Sequence, residues 1–115
     1  MSLPSATEAI SFSNKVRENA RKRIEHDIDQ DVQTIVSSIE HLIKETEPNE
    51  NGIYTLKVLI KSILYPNKQI VMDRVTSLMI GNNYKASVEK KNRIFNNCYI
   101  LNFRPMTDSE INKKK

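Results

Sequence analysis

The sequence predicts an α+β fold: one long N-terminal helix, then strand, helix, strand and strand, with a small three-stranded sheet packed on the helices. Three observations predict it. Apolar residues recur at three- and four-residue steps from Val16 to Leu42, with no Pro or Gly to interrupt them before Pro48, and that is the period of a helix with one buried face. Beyond ETEPNENG the pattern changes to residue-by-residue alternation in three separate runs, over 54–62, 84–89 and 99–103, the period of half-buried strands. Between the first two runs Val71, Val75, Leu78 and Met79 return to helical spacing. A chain of 115 residues is one domain's worth. The boundaries are a lead-in over 1–4, a single domain over 5–104 (long helix about 5–46, sheet and second helix about 53–104) and a polar basic tail over 105–115.

Each element has a local reason. Ser5 with Glu8 three positions on is a capping box, and Leu3-Pro4 lies outside it as a lead-in. The helix it opens carries Val16, Ala20, Ile24, Ile28, Val32, Ile35, Ile39 and Leu42 on one stripe, either unbroken or bent near HDIDQD. At 1.5 Å per residue it reaches about 60 Å, more than a small sheet can cover. Part of the stripe is therefore expected to meet another copy of the chain, with Ile24, Ile28, Val32, Ile35 and Ile39 as the oligomer interface.

ETEPNENG ends the helix with Pro, two Asn and Gly. Tyr54, Leu56, Val58 and Ile60 then point one way while Thr55, Lys57 and Lys61 point the other; Leu59 and Ile63 depart from strict alternation. Pro66 and the potential cap Asn67 open the second helix. In LMIGNNYKASV the helix stops: Gly81 is expected to supply the left-handed residue, and Asn82 and Asn83 tolerate the same geometry. Tyr84, Ala86 and Val88 alternate in the second strand, KKNR and the following Asn pair form a loop, and Tyr99, Leu101 and Phe103 alternate in the third. Strand, helix and strand can close as a right-handed crossover with both helices on one face of the sheet.

Composition bounds the function. Hydrophobic residues are 38% and aromatics 6% of the chain, thin for a stand-alone core, and self-association is the usual remedy. Cys98 is the single cysteine, which excludes an internal disulfide framework and fits a reducing compartment. MSLPSATEAISFSN lacks a basic segment followed by an apolar block, and no run approaches the ~18 apolar residues of a membrane span. The expectation is a soluble protein that is not secreted by a signal peptide and has no membrane partner. Residues 1–48 hold six Lys/Arg against nine Asp/Glu, whereas 85–115 hold eight against three, so the positive excess lies downstream.

No motif for chemistry stands out. With only Gly52 and Gly81, both placed in turns, the chain has no GxGxxG, P-loop or serine-elbow signature. His41 and Glu45 are one helical turn apart, but a zinc site needs three or four ligands. His26 is read as solvent-facing, and Asp27, Asp29 and Asp31, two apart, spread around the helix. Cys98 has no histidine in its own element to activate it. The expectation is a non-enzyme without cofactor or metal.

Two surfaces remain. In KVRENARKR, the basic Lys15, Arg17, Arg21, Lys22 and Arg23 precede the acidic EHDIDQD; opposite charges at the two ends favour antiparallel self-pairing, with a phosphate-binding arm as the alternative. On the hairpin, Lys85, Lys90, Lys91 and Arg93, with Arg104, form a rim suited to a protein partner or a nucleic acid. Tyr99 and Phe103 share a face with Leu101 and belong to the core.

The order of a long charged helix, GIYTLKVLI, a short helix, GNNYKASV and a closing CYILNF resembles a pattern among small proteins of tailed bacteriophages, over residues 14–104. There a glycine-tyrosine turn leads into a strand; here Asn82 and Asn83 stand between Gly81 and Tyr84, and Phe103 takes the place of a bulkier aromatic. The resemblance implies a phage origin, a virion or bacterial-host cytoplasm location, and a virion-associated or host-takeover role. The expected function is thus a non-catalytic oligomeric binding protein acting through contacts with host or viral proteins. Its alternatives are a nucleic-acid-binding accessory protein using the basic hairpin, and a small inhibitor directed at a host defence factor.

Overall fold

The computed structural model describes residues 3–91 and 98–113. Helix α1 (Ala6–Glu45) is followed by β1 (Tyr54–Leu59), α2 (Gln69–Gly81), β2 (Tyr84–Lys90), β3 (Cys98–Pro105) and a short α3 (Asp108–Lys113). The α+β architecture is the expected one, and α1 is one uninterrupted helix through HDIDQD.

The sheet has strand order β1-β3-β2, with β3 antiparallel to both neighbours. The strands on either side of α2 therefore run the same way but are separated by the last strand, a split βαβ unit. The placement follows from composition: β3, with Tyr99, Ile100, Leu101 and Phe103, has the apolar residues a central strand needs, while the edges carry Lys57, Lys85 and Lys90, charges that discourage pairing with further chains.

One face of the sheet meets both helices. Val58, Tyr99, Leu101 and Phe103 join Ile28, Val32, Ile35 and Ile39 of α1 and Val71, Met72, Val75 and Met79 of α2 in a single buried cluster. Among the described residues no charged or polar side chain is buried. Tyr54 stacks on Phe103 at 5.3 Å between ring centroids, and Tyr84 meets the same ring edge-on at 6.3 Å, both favourable aromatic geometries.

Three local expectations are corrected. The first strand ends at Leu59 and not near 62, because residues 60–68 are drawn onto α1: Ser62 donates its hydroxyl to Asp27 and Tyr65 donates to Asp31. Gly81 is the last helical residue, and the left-handed position is Asn83, with φ 64°. The segment read as a tail holds α3, and the chain leading into it is fastened just ahead of β2 by Met106 N–H donating to the Asn83 carbonyl at 2.9 Å.

The molecule is extended, 70 × 39 × 24 Å with a radius of gyration of 19.9 Å, against about 13 Å for a compact chain of this length. The cause is α1, which outruns the body. Among the described residues no helix is long and apolar enough to cross a membrane.

Candidate functional site

The overhanging half of α1 is built to be helical in isolation as far as local interactions allow. Ser5 caps it, its side chain accepting from Glu8 N–H at 3.2 Å, and Glu8 places negative charge in the first turn, where the helix dipole favours it. Lys22 and Glu18 add an ion pair at 3.5 Å across one turn. Every residue from 6 to 23 is exposed, a projection of about 27 Å at 1.5 Å per residue. Ile10, Phe12 and Val16 stand there 63%, 53% and 67% exposed. Ala9, Phe12, Val16 and Ala20 recur at steps of three and four, so they share one side of the arm.

Ile24 is the transition: it packs partly buried against the core, and from there inward Ile28, Val32, Ile35 and Ile39 are buried within the chain's own core. Four of the five positions expected at the oligomer interface are thus placed inside the chain's own core, and Ile24 at its edge. Strand β1 and helix α2 of the same molecule cover this half of the stripe, and what α1 leaves for a partner lies before Ile24.

The acidic segment is also taken up internally. Arg74 of α2 bonds Glu25 at 3.0 Å and Asp29 at 3.1 Å, while Asp27 and Asp31 accept from Ser62 and Tyr65. Lys68 donates to the carbonyls of Ser62 and Tyr65, and its ammonium lies 4.3 Å from the Tyr65 ring centroid, a cation–π distance. Burial first, then the bond to Asp31, pushes the Tyr65 hydroxyl well above its ordinary 10.0, so this phenol is a fixed donor. EHDIDQD is thus a clamp that holds loop 60–68 and α2 to α1. All four of its acids therefore have partners within the chain.

Of the five hairpin cations, Arg93 lies outside the described residues. Lys90 is exposed at the end of β2 and Lys91 follows it, half-buried. Lys85 and Arg104 are cross-strand partners on the sheet face turned away from the helices, and both are ion-paired to Glu110 of α3, one negative charge against two positive. Arg104 donates Nη1–H to Oε1 at 2.8 Å and Nη2–H to Oε2 at 2.9 Å, and Lys85 Nζ lies 2.5 Å from Oε2. That carboxylate also accepts from Thr107 N–H at 3.2 Å while Glu110 N–H donates to Thr107 Oγ1 at 3.3 Å, a complete capping box. Arg104 chiefly, then Lys85 and Thr107, hold the Glu110 carboxyl far below its ordinary 4.5.

Among the described residues no group of three or more His, Cys, Asp or Glu side chains could hold a metal ion. His26 and His41 are exposed. Cys98 is buried at the start of β3, opposite Leu59. Sequence reasoning missed Glu110, Arg74 and the Ser62–Tyr65–Lys68 loop. Only the first had a local signal, the TDSE pattern at Thr107–Glu110. No protein family, curated protein or solved structure matches this chain.

Proposed function

We propose that the protein is a non-catalytic assembly protein whose N-terminal arm joins copies of the chain, in keeping with an accessory or virion-associated role in a bacteriophage. One observation carries the reading: residues 6–23 leave the body entirely, yet carry Ile10, Phe12 and Val16 in water. A lone helix of this length is marginal in water, and apolar side chains on it gain only when a second surface covers them.

Charge selects the orientation of the pair. Residues 6–14 contain Glu8 and no cation, whereas 15–23 contain five cations and Glu18. Parallel arms would set like charge on like charge. Antiparallel arms centred near Asn14 set the basic half of one over the cation-free half of the other, with Glu8 facing Arg21 and the Phe12–Val16 stripes in contact. The double variant F12E/V16E changes two exposed positions, so at low concentration, where both are dissociated, its helix content by circular dichroism is expected to match wild type, while at high concentration self-association by light scattering is lost. Unchanged association would remove the arm from the assembly.

Nucleic-acid binding through the hairpin is the weaker reading, since Lys85 and Arg104 are already paired with Glu110. Lys90 and Lys91 on the hairpin and Lys15, Arg17, Arg21 and Arg23 on the arm make no ion pair with a described residue. Binding carried by them weakens steeply with salt; an apolar arm contact does not.

A further inference from the structure

Two of the residues paired with Glu110, Lys85 and Arg104, also border a depression of about 180 Å³ on the outer sheet face, together with Ser87, Asn102, Ile53 and Ala86. Ser87 and Asn102 are a cross-strand pair, and Lys85 and Arg104 are the next pair on the same face, two residues along and past Ala86–Phe103, so four polar side chains point the same way. Thr55 donates its hydroxyl to Asn102 Oδ1 at 2.7 Å, which uses the amide's acceptor and leaves its Nδ2–H₂ as a donor. A guanidinium fork, an ammonium, an amide N–H₂ and a hydroxyl therefore meet at one place, a donor set suited to an oxyanion. The acid that bonds Lys85 and Arg104 comes from a separate segment, six residues beyond Arg104.

We propose that this face is a phosphate-binding site and that Glu110 is its internal stand-in, displaced with α3 when a phosphate takes over the Arg104 fork. Three features support displacement. No residue of α3 is buried, so its departure uncovers no core. The exchange replaces one bidentate anion on Arg104 by another, so the guanidinium is never left unpaired. A phosphate monoester carries about −1.5 to −2 charge at pH 7 and three acceptor oxygens against a carboxylate's single charge, enough to engage Lys85, Ser87 and Asn102 together with Arg104. The hinge is Pro105–Thr107, between the end of β3 and the first residue of α3.

The test is amide NMR on the full chain, titrated separately with inorganic phosphate, thymidine 5′-monophosphate and a short oligothymidylate. In E110Q and E110A all three probes are expected to shift the amides of Lys85, Ser87, Asn102 and Arg104. Affinity for thymidine 5′-monophosphate should rise about tenfold over wild type, a factor worth about 1.4 kcal/mol. In wild type the same ligand at saturation releases α3, seen as faster exchange of the Asp108–Lys113 amides. Adding R104Q to E110A abolishes the gain. Tighter binding of the oligonucleotide than the mononucleotide assigns the phosphate to a nucleic-acid backbone, and the reverse assigns it to a small phosphorylated ligand; both support the site. The proposal is overturned if neither Glu110 variant responds to any probe, or if the response survives R104Q. Because the arm lies at the far end of α1, F12E/V16E leaves these titrations unchanged, so the result is independent of the assembly reading.

Discussion

Gly81 and Asn83 divide the work of ending α2, and the division is testable one residue at a time. Gly81 keeps helical geometry with nothing within 4 Å of the position a Cβ would take. Gly81→Ala is therefore expected to raise stability by about 0.5–1 kcal/mol in urea unfolding, through the entropy that glycine loses in a helix. Asn83 sits at φ 64°, where a side chain with a Cβ costs about 1–2 kcal/mol and Asn is among the few that tolerate it. Asn83→Ala should lower stability by about 1 kcal/mol and Asn83→Gly should not. The sequence pattern GNN announced a helix stop but not which of three permissive residues takes the left-handed turn. The helix runs through Gly81 because Asn82 satisfies its last turn, with N–H reaching the Leu78 and Met79 carbonyls and Nδ2–H donating to Leu78.

Elements declared by local pattern were legible; those fixed by distant partners were not. The spacing from Ile24 to Leu42 and the alternation at Tyr54, Tyr84 and Tyr99 name a helix and three strands because each pattern is read within one segment. The end of β1 at Leu59 depends on Asp27 and Asp31, about 30 residues earlier, and the order β1-β3-β2 depends on which strand tolerates two neighbours. Helix α3 was legible and overlooked: Thr107–Glu110 repeats the capping-box signal of Ser5–Glu8, but the surrounding lysines read as tail. Its docking has a pH signature. The folded Glu110 carboxyl is depressed, so its contribution is complete above 4.5 and is lost only as pH falls through the lower folded value. A carboxyl carbon-13 titration should show no inflection for Glu110 near 4.5, and R104Q should bring the inflection back toward it. The arm carries a second signature: at low concentration the amides of 6–23 exchange rapidly while those of Ile28–Ile39 are protected, and association raises protection in the arm alone.

Over the whole molecule, one chain spends its apolar residues unevenly. The body folds them into a single core around Tyr99, Leu101 and Phe103, whereas the arm keeps Ile10, Phe12 and Val16 outside. The sequence showed that the stripe exceeds the sheet but not where the excess falls, because the covering of Ile28 to Ile39 by α2 and β1 is a tertiary outcome. The proposed assembly would then be separable from folding: removing the arm's apolar side chains should prevent association without unfolding the body. Sedimentation equilibrium of the full chain across a range of concentrations tests this most directly. The account predicts a mass that rises with concentration to twice 13.3 kDa or more and persists in high salt, and that stays at 13.3 kDa for F12E/V16E. A wild-type chain that remains at 13.3 kDa at its highest soluble concentration contradicts it.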